Sequence, residues 1–243
     1  LTGGSATGAA GGGAVTHSGD VILEAVTLAG NAAEGLGGAV FSGGALRMEG
    51  GLARGNLTTG YSGAGGALAA VRDLDILGAR LEGNATLGAD APGGAAWSNG
   101  EIAAVRATVL DNRTEGAGSH GGALATDRSL SATSTTFAWN RTEGAGADGG
   151  ALSGASLGLR NATFFANEAG DATSSGGAVH ADLIARMENA TLVGNSAGGS
   201  GGAAASGAGG IDLVNSLLLA NTAAGGAAEL DPGTGGIRAE GLS

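Results

Sequence analysis

GGALATDRSLSATSTTFAWNRTEGAGAD, residues 121–148, reads as one turn of a repeating β structure. Three short segments in it have strand character. They are the Ala123-Leu124 step after the glycine pair, an alternating segment with Leu130 and Ala132 on one face, and Thr136-Phe137-Ala138-Trp139-Asn140. Each is bounded by Gly, Ser, Asn or Asp, the residues that punctuate strands. Gly149-Gly150-Ala151 then begins the same unit again. Gly-Gly-Ala triplets start at Gly12, Gly37, Gly65, Gly93, Gly121, Gly149, Gly176, Gly201 and Gly225, in steps of 24 to 28 residues. An asparagine closing an apolar-x-x-Asn motif keeps the same beat at Asn31, Asn56, Asn84, Asn112, Asn140, Asn167, Asn195 and Asn221. Two marks in step along the chain mean one supersecondary unit stacked on itself.

Aligning the turns on the asparagine exposes the inward rows. Three residues before it stand Leu28, Ala53, Leu81, Val109, Phe137, Phe164, Leu192 and Leu218. Eight before it stand Leu23, Met48, Ile76, Ala104, Ala132, Leu159, Met187 and Leu213, and ten before it Val21, Leu46, Leu74, Ile102, Leu130, Leu157, Ala185 and Ile211. Period-2 apolar alternation at equivalent places in every turn is the pattern of strands whose inner faces stack. A helical solenoid fits poorly, because glycine at this density costs each helix about 1 kcal/mol per residue. The expected fold is an all-β parallel β-helix: one domain over residues 1–243, about eight coils of 24–28 residues and three sheets, with 1–11 and 231–243 as incomplete terminal coils. At about 4.8 Å per coil the rod spans about 40 Å. Glycine pairs suit sharp corners, and stacked asparagines suit an amide ladder. A shorter series, Asn161, Asn189 and Asn215, is expected at the corner between the second and third strands.

Composition narrows the function classes. Glycine accounts for 53 of 243 residues, with two prolines and no triplet period, which excludes collagen. A hydrophobic share of 42% with 14% charged residues argues against disorder. The net charge is −11, the 11 basic residues are all arginine, and no basic patch offers itself to nucleic acid. Cysteine is absent, so no disulfide or thiol chemistry is available, and no apolar run is long enough to span a membrane as a helix.

Chemical signatures are weak. His17, His120 and His180 show no metal-ligand spacing, and no catalytic, cofactor or metal residue is assigned. Acidic residues look sparse: Asp73 with Asp75, Asp127 beside Arg128, and Asp182. Glu34, Glu115 and Glu143 share a phase, and Asn-Arg-Thr-Glu occurs from both Asn112 and Asn140. An exposed Arg/Glu stripe is the expected reading there, with a cation or glycan contact as the sharper one. Six Asn-x-Thr sequons (Asn56, Asn84, Asn112, Asn140, Asn161, Asn189) are expected to point inward and so to be structural. Trp97, Trp139 and Tyr61 are too scattered for a sugar-stacking platform.

Coils such as GGAVFSGGALRMEGGLARGN and NATLVGNSAGGSGGA resemble the GGA(I/V/L)…FxxN repeats of polymorphic outer-membrane proteins. They also resemble the bacterial "choice-of-anchor" β-helix group. The resemblance covers residues 11 to 230 and implies a right-handed single-stranded β-helix, exported to the extracellular space or cell surface. Relatives of that kind include adhesins, autotransporter passengers and polysaccharide-active enzymes. The termini add an expectation of their own. Gly235-Gly236-Ile237 matches Gly209-Gly210-Ile211, so Ser243 aligns with Leu217 and the chain stops where a third strand should begin. Leu1-Thr2-Gly3-Gly4-Ser5-Ala6 reads like Leu192 to Ala197 without the ladder asparagine, which supplies that strand. Head-to-tail stacking of the chain with itself gives an open filament, and a segment of a longer surface helix has raw ends of the same kind. The expected function is therefore a non-catalytic structural subunit without cofactor. An adhesin segment binding glycan or cell surface is the first alternative, and a pectate-lyase-like lyase or hydrolase the second.

Overall fold

The computed structural model describes residues 1–8, 11–226 and 229–241, and these contain strands, turns and no helix. They form a parallel β-solenoid of about eight turns, with sheets of nine, eight and sixteen strands. In the turn that opens at Gly121, Leu124–Thr126 and Ser129–Thr133 lie in the sixteen-stranded first sheet. Thr136–Ala138 belongs to the second sheet and Arg141–Thr142 to the third. Each residue pairs with its equivalent one coil away: Leu130 with Leu157, Phe137 with Phe164, Arg141 with Glu168.

The count of three sheets agrees with the sequence reading, but the strands fill them differently. The first two segments of each turn share one sheet. In two turns they fuse, as Leu152–Arg160 and Val179–Glu188, with a register irregularity between Gly154 and Ser156. The third sheet comes from two residues just after the ladder asparagine, a span too short to show alternation.

The inward rows are buried as the alternation requires. Leu28, Ala53, Leu81, Val109, Phe137, Phe164 and Leu192 are all sealed from solvent, and Phe137 stacks on Phe164 with ring centroids 5.0 Å apart. The alanine of the triplet is buried too (Ala39, Ala67, Ala95, Ala123, Ala151, Ala178, Ala203). Its carbonyl accepts two amide hydrogens from the coil before, as Ala123 does from Ala95 (2.8 Å) and Ala96 (3.0 Å).

Left-handed backbone turns the corners. Six residues before each ladder asparagine the chain adopts positive φ whatever the residue, from Ala25 through Arg106 and Ser134 to Asn161, Asn189 and Asn215. The residue just before the ladder does the same, including Asp111, Trp139 and Ala166. At the third corner the first glycine of the pair takes this conformation (Gly121, φ +64°), where it is free of steric cost. The second glycine is small for another reason: a Cβ on Gly122 would overlap the carbonyl of Gly150 in the next coil.

The ladder asparagines are buried, and each ties three coils together. Asn112 Nδ2 donates to Asn140 Oδ1 (2.9 Å) and to the Leu81 carbonyl (3.2 Å). Its own Oδ1 accepts from the backbone N–H (3.0 Å) and Nδ2 (2.9 Å) of Asn84. The pattern runs unbroken from Asn31 to Asn221. Two residues on, buried threonines clip the following loop: the hydroxyls of Thr86, Thr114 and Thr142 donate to the carbonyls of Ala91, Ser119 and Ala147 at 2.5–2.6 Å. The Asn-x-Thr pattern at Asn56, Asn84, Asn112 and Asn140 is thus a ladder-and-clip signature. Asn161 and Asn189 contradict the inward expectation: both are exposed, because a left-handed corner residue turns its side chain away from the core.

Asn112→Ala leaves two buried donors of Asn84 without an acceptor, each worth about 1–3 kcal/mol. The expected loss in denaturant unfolding is about 3 kcal/mol. Arg113→Ala, which removes an exposed pair with Glu115, should cost less than about 1 kcal/mol in the same assay.

Candidate functional site

Outward residues inherit the same register, so side chains distant in sequence are brought into rows. The row three residues beyond the second glycine runs Trp97, Ala125, Ser153, His180, in adjacent coils of the first sheet. Two small residues between two large ones leave a hollow. One side of it is lined by His120 and Asp148, which share the position just before the glycine pair. The other side is lined by Asp127, in the break between Leu124–Thr126 and Ser129–Thr133, and by Asp182, within the fused strand Val179–Glu188. The cavity measures about 230 Å³.

Its polar groups are linked. The Asp148 N–H donates to His120 Nδ1 (3.0 Å), whose ring nitrogen is 3.7 Å from the Asp148 carboxylate. Asp148 Oδ1 accepts the Ser175 N–H (2.6 Å), Ser175 Oγ meets Ser200 Oγ (3.1 Å), and Ser200 donates to Asp231. His180 Nε2 is 3.5 Å from Asp182 Oδ1, while its Nδ1 is buried without a partner. Burial alone would lower the His180 pKa. The hydrogen bond to Asp182 and the charges of Asp148, Asp182 and Asp231 outweigh that effect and raise it. The bond from His180 in turn lowers the Asp182 pKa against its partial burial.

Sequence reasoning missed this gathering. It treated the acidic residues as sparse and the histidines as unrelated, whereas the fold brings Asp127, Asp148, Asp182, His120 and His180 to one cavity. Comparing positions just before each glycine pair would have shown His120 and Asp148 in adjacent coils. His17 lies apart, in the strand Val15–His17 of the first coil. Asp73 Oδ1 accepts the Glu101 N–H (2.9 Å), and Asp75 faces Arg47 at 3.7 Å. No group of three or more His, Asp or Glu suited to a metal ion occurs among the described residues.

The Arg/Glu stripe pairs with itself. Arg113 donates to Glu115 (2.7 Å) and Arg141 to Glu143 (2.5 Å), with Asp111 3.3 Å from Arg141. These charges are mutually satisfied and partly exposed. The remaining aromatic residues are dispersed: Tyr61 donates to Asp90, and Trp139 meets Phe165 edge-on at 5.6 Å on another face.

The coil ends form a second candidate surface. Leu1 to Ala6 lie on the second and third sheets as an incomplete turn: Ala29 N–H donates to the Leu1 carbonyl (3.0 Å), and Gly4 N–H to Asn31 Oδ1 (2.9 Å). At the opposite end, Leu230–Asp231 and Ile237–Glu240 occupy only the first sheet. Ile237, equivalent to the buried Ile211, is 50% exposed there. The proposed alignment of Ser243 with Leu217 lies outside the described residues, as does Ala227 of the last triplet.

No protein-family model matches the chain, and no curated protein or solved structure matches it. Its architecture is a parallel β-solenoid of three sheets.

The His180 environment makes a titration prediction. Its ring should titrate above the ordinary value of about 6.5 by NMR, and Asp182→Asn should bring it down. A raised folded pKa stabilises the protonated state. That contribution is fully present below about pH 6.5 and is lost as pH rises through the folded value. A His180 titration at or below 6.5 would contradict the assigned pairing.

Proposed function

We propose that this chain is a non-catalytic extracellular structural protein whose β-helix stacks head to tail with other copies into a surface fibre. One observation carries the reading: the two ends present complementary half coils. Residues 1–6 supply second- and third-sheet strands without a first sheet, and residues 229–241 supply first-sheet strands without the other two. Set together, they make one full turn. Leu1 then lies in the row of Leu218, and the part-exposed Leu218, Leu230 and Ile237 gain a covering coil. A contact of this kind joins unlike surfaces, so it does not close on itself and grows into a filament.

The ladder is weaker at such a seam. Gly4 holds the slot of a ladder asparagine, so Asn221 meets a backbone there and not a carboxamide. The junction keeps strand pairing and apolar cover but loses one rung, which favours reversible assembly. The exported location is part of the proposal and rests on the resemblance to exported β-helix repeats.

Cysteine pairing tests the seam, because the chain has no native cysteine. In-register neighbours in adjacent coils lie about 4.8 Å apart, within disulfide reach of Cα atoms, which is about 4.4–6.8 Å. Leu1→Cys with Leu218→Cys should give, on mild oxidation, a ladder of species at multiples of 22.6 kDa, together with filaments by electron microscopy. Monomers with both thiols free, and isolated rods at high protein concentration, would overturn the proposal.

A further inference from the structure

We propose that the cavity between Trp97 and His180 binds a small organic ammonium ion. The site is independent of end-to-end stacking and follows from how the cavity is built. Three carboxylates, Asp127, Asp148 and Asp182, line it, and no lysine or arginine does. The basic residue nearest in sequence, Arg128, directs its Nε to the Asn99 carbonyl (3.3 Å). With the whole chain at −11, the local field favours a cation and disfavours a uronate or phosphate group.

The kind of cation follows from the donors. A bare metal ion needs several ligands converging at about 2–2.6 Å, and no such group exists among the described residues. The carboxylates here stand on opposite sides of the Ala125–Ser153 floor and come from coils spaced about 4.8 Å apart. That separation suits a bulky cation of diffuse charge, which is held by nearby carboxylates and an aromatic wall without direct coordination. Trp97 supplies the wall, being the one aromatic residue among those lining the cavity besides the two histidines. A volume of about 230 Å³ admits an alkylammonium group. Its entry is made by sequence: Ala125 and Ser153 are the small members of a row that is large at both ends.

His180 fits the same chemistry. Its Nε2 faces Asp182, and its buried Nδ1 has no partner within the protein. A ligand ammonium beside Asp182 competes with the imidazole for that carboxylate, so occupancy should be visible on the His180 ring.

The test uses choline, whose charge does not titrate. Trp139→Phe leaves Trp97 as the only tryptophan, so fluorescence reports the cavity alone. Choline should change Trp97 emission saturably and shift the His180 ring resonances. The uncharged isostere 3,3-dimethylbutan-1-ol should bind about tenfold more weakly or worse, and galacturonate should not bind. Asp148→Asn with Asp182→Asn should weaken choline binding by at least about tenfold. Should that double variant fold poorly, Ala125→Leu provides the second check by filling the floor of the cavity while every charge is kept, and it should abolish binding. No response to choline, equal binding of the neutral isostere, or undiminished binding by a folded Ala125→Leu variant would overturn the assignment.

Discussion

Each ladder asparagine must satisfy its amide group in a place that water does not reach, and the architecture follows from that requirement. Asn56, Asn84, Asn112, Asn140, Asn167 and Asn195 are fully buried or nearly so, and their carboxamides find partners only in the coils above and below. A coil displaced by one residue would leave donors and acceptors unpaired along the rod, at the cost of unsatisfied buried polar groups. The ladder therefore fixes register, and register fixes everything outside it. It puts Phe137 on Phe164, aligns the left-handed corners, and places the triplet glycines where a neighbouring carbonyl leaves no room for a Cβ.

A second consequence is a division between conserved geometry and free chemistry within each turn. Inward and corner positions are constrained by packing and φ. Outward positions between them are not, and there the chain varies most. The row occupied by Phe41 and Ala69 in early coils becomes Trp97, Ala125, Ser153 and His180 further on. A periodic backbone carrying an aperiodic row is how a rod with hardly any interior space makes a cavity: neighbouring coils differ in side-chain size by one step or two. Most arginines, by contrast, are simply paired with carboxylates, as Arg113 with Glu115 and Arg160 with Glu188, and contribute modest stability.

The parts of this structure that repeat were legible in the sequence. Leu28 through Leu192, three residues before each asparagine, could be named as core because eight turns report on one position. The third sheet was not legible, since two residues such as Arg141–Thr142 carry no period, and Thr142 is buried through a hydrogen bond and not through apolarity. Asn161 and Asn189 misled because their motif matches the ladder sequons while their backbone conformation points them outward. The cavity was illegible for a different reason. Its residues occupy three phases of the repeat, and only the folded coil shows that those phases flank one hollow.

The proposed stacking would use the same coil-to-coil bonding that holds the rod together. Amide hydrogen exchange resolved by residue tests the underlying constraint most directly. The account predicts that the backbone N–H groups of Asn56, Asn84, Asn112, Asn140 and Asn167, each bonded to the next carboxamide, exchange among the slowest in the protein. The N–H of Asn221, with no rung beyond it among the described residues, should exchange far faster. Exchange at the central rungs as fast as at Asn221 would contradict the claim that the ladder holds the coils in register.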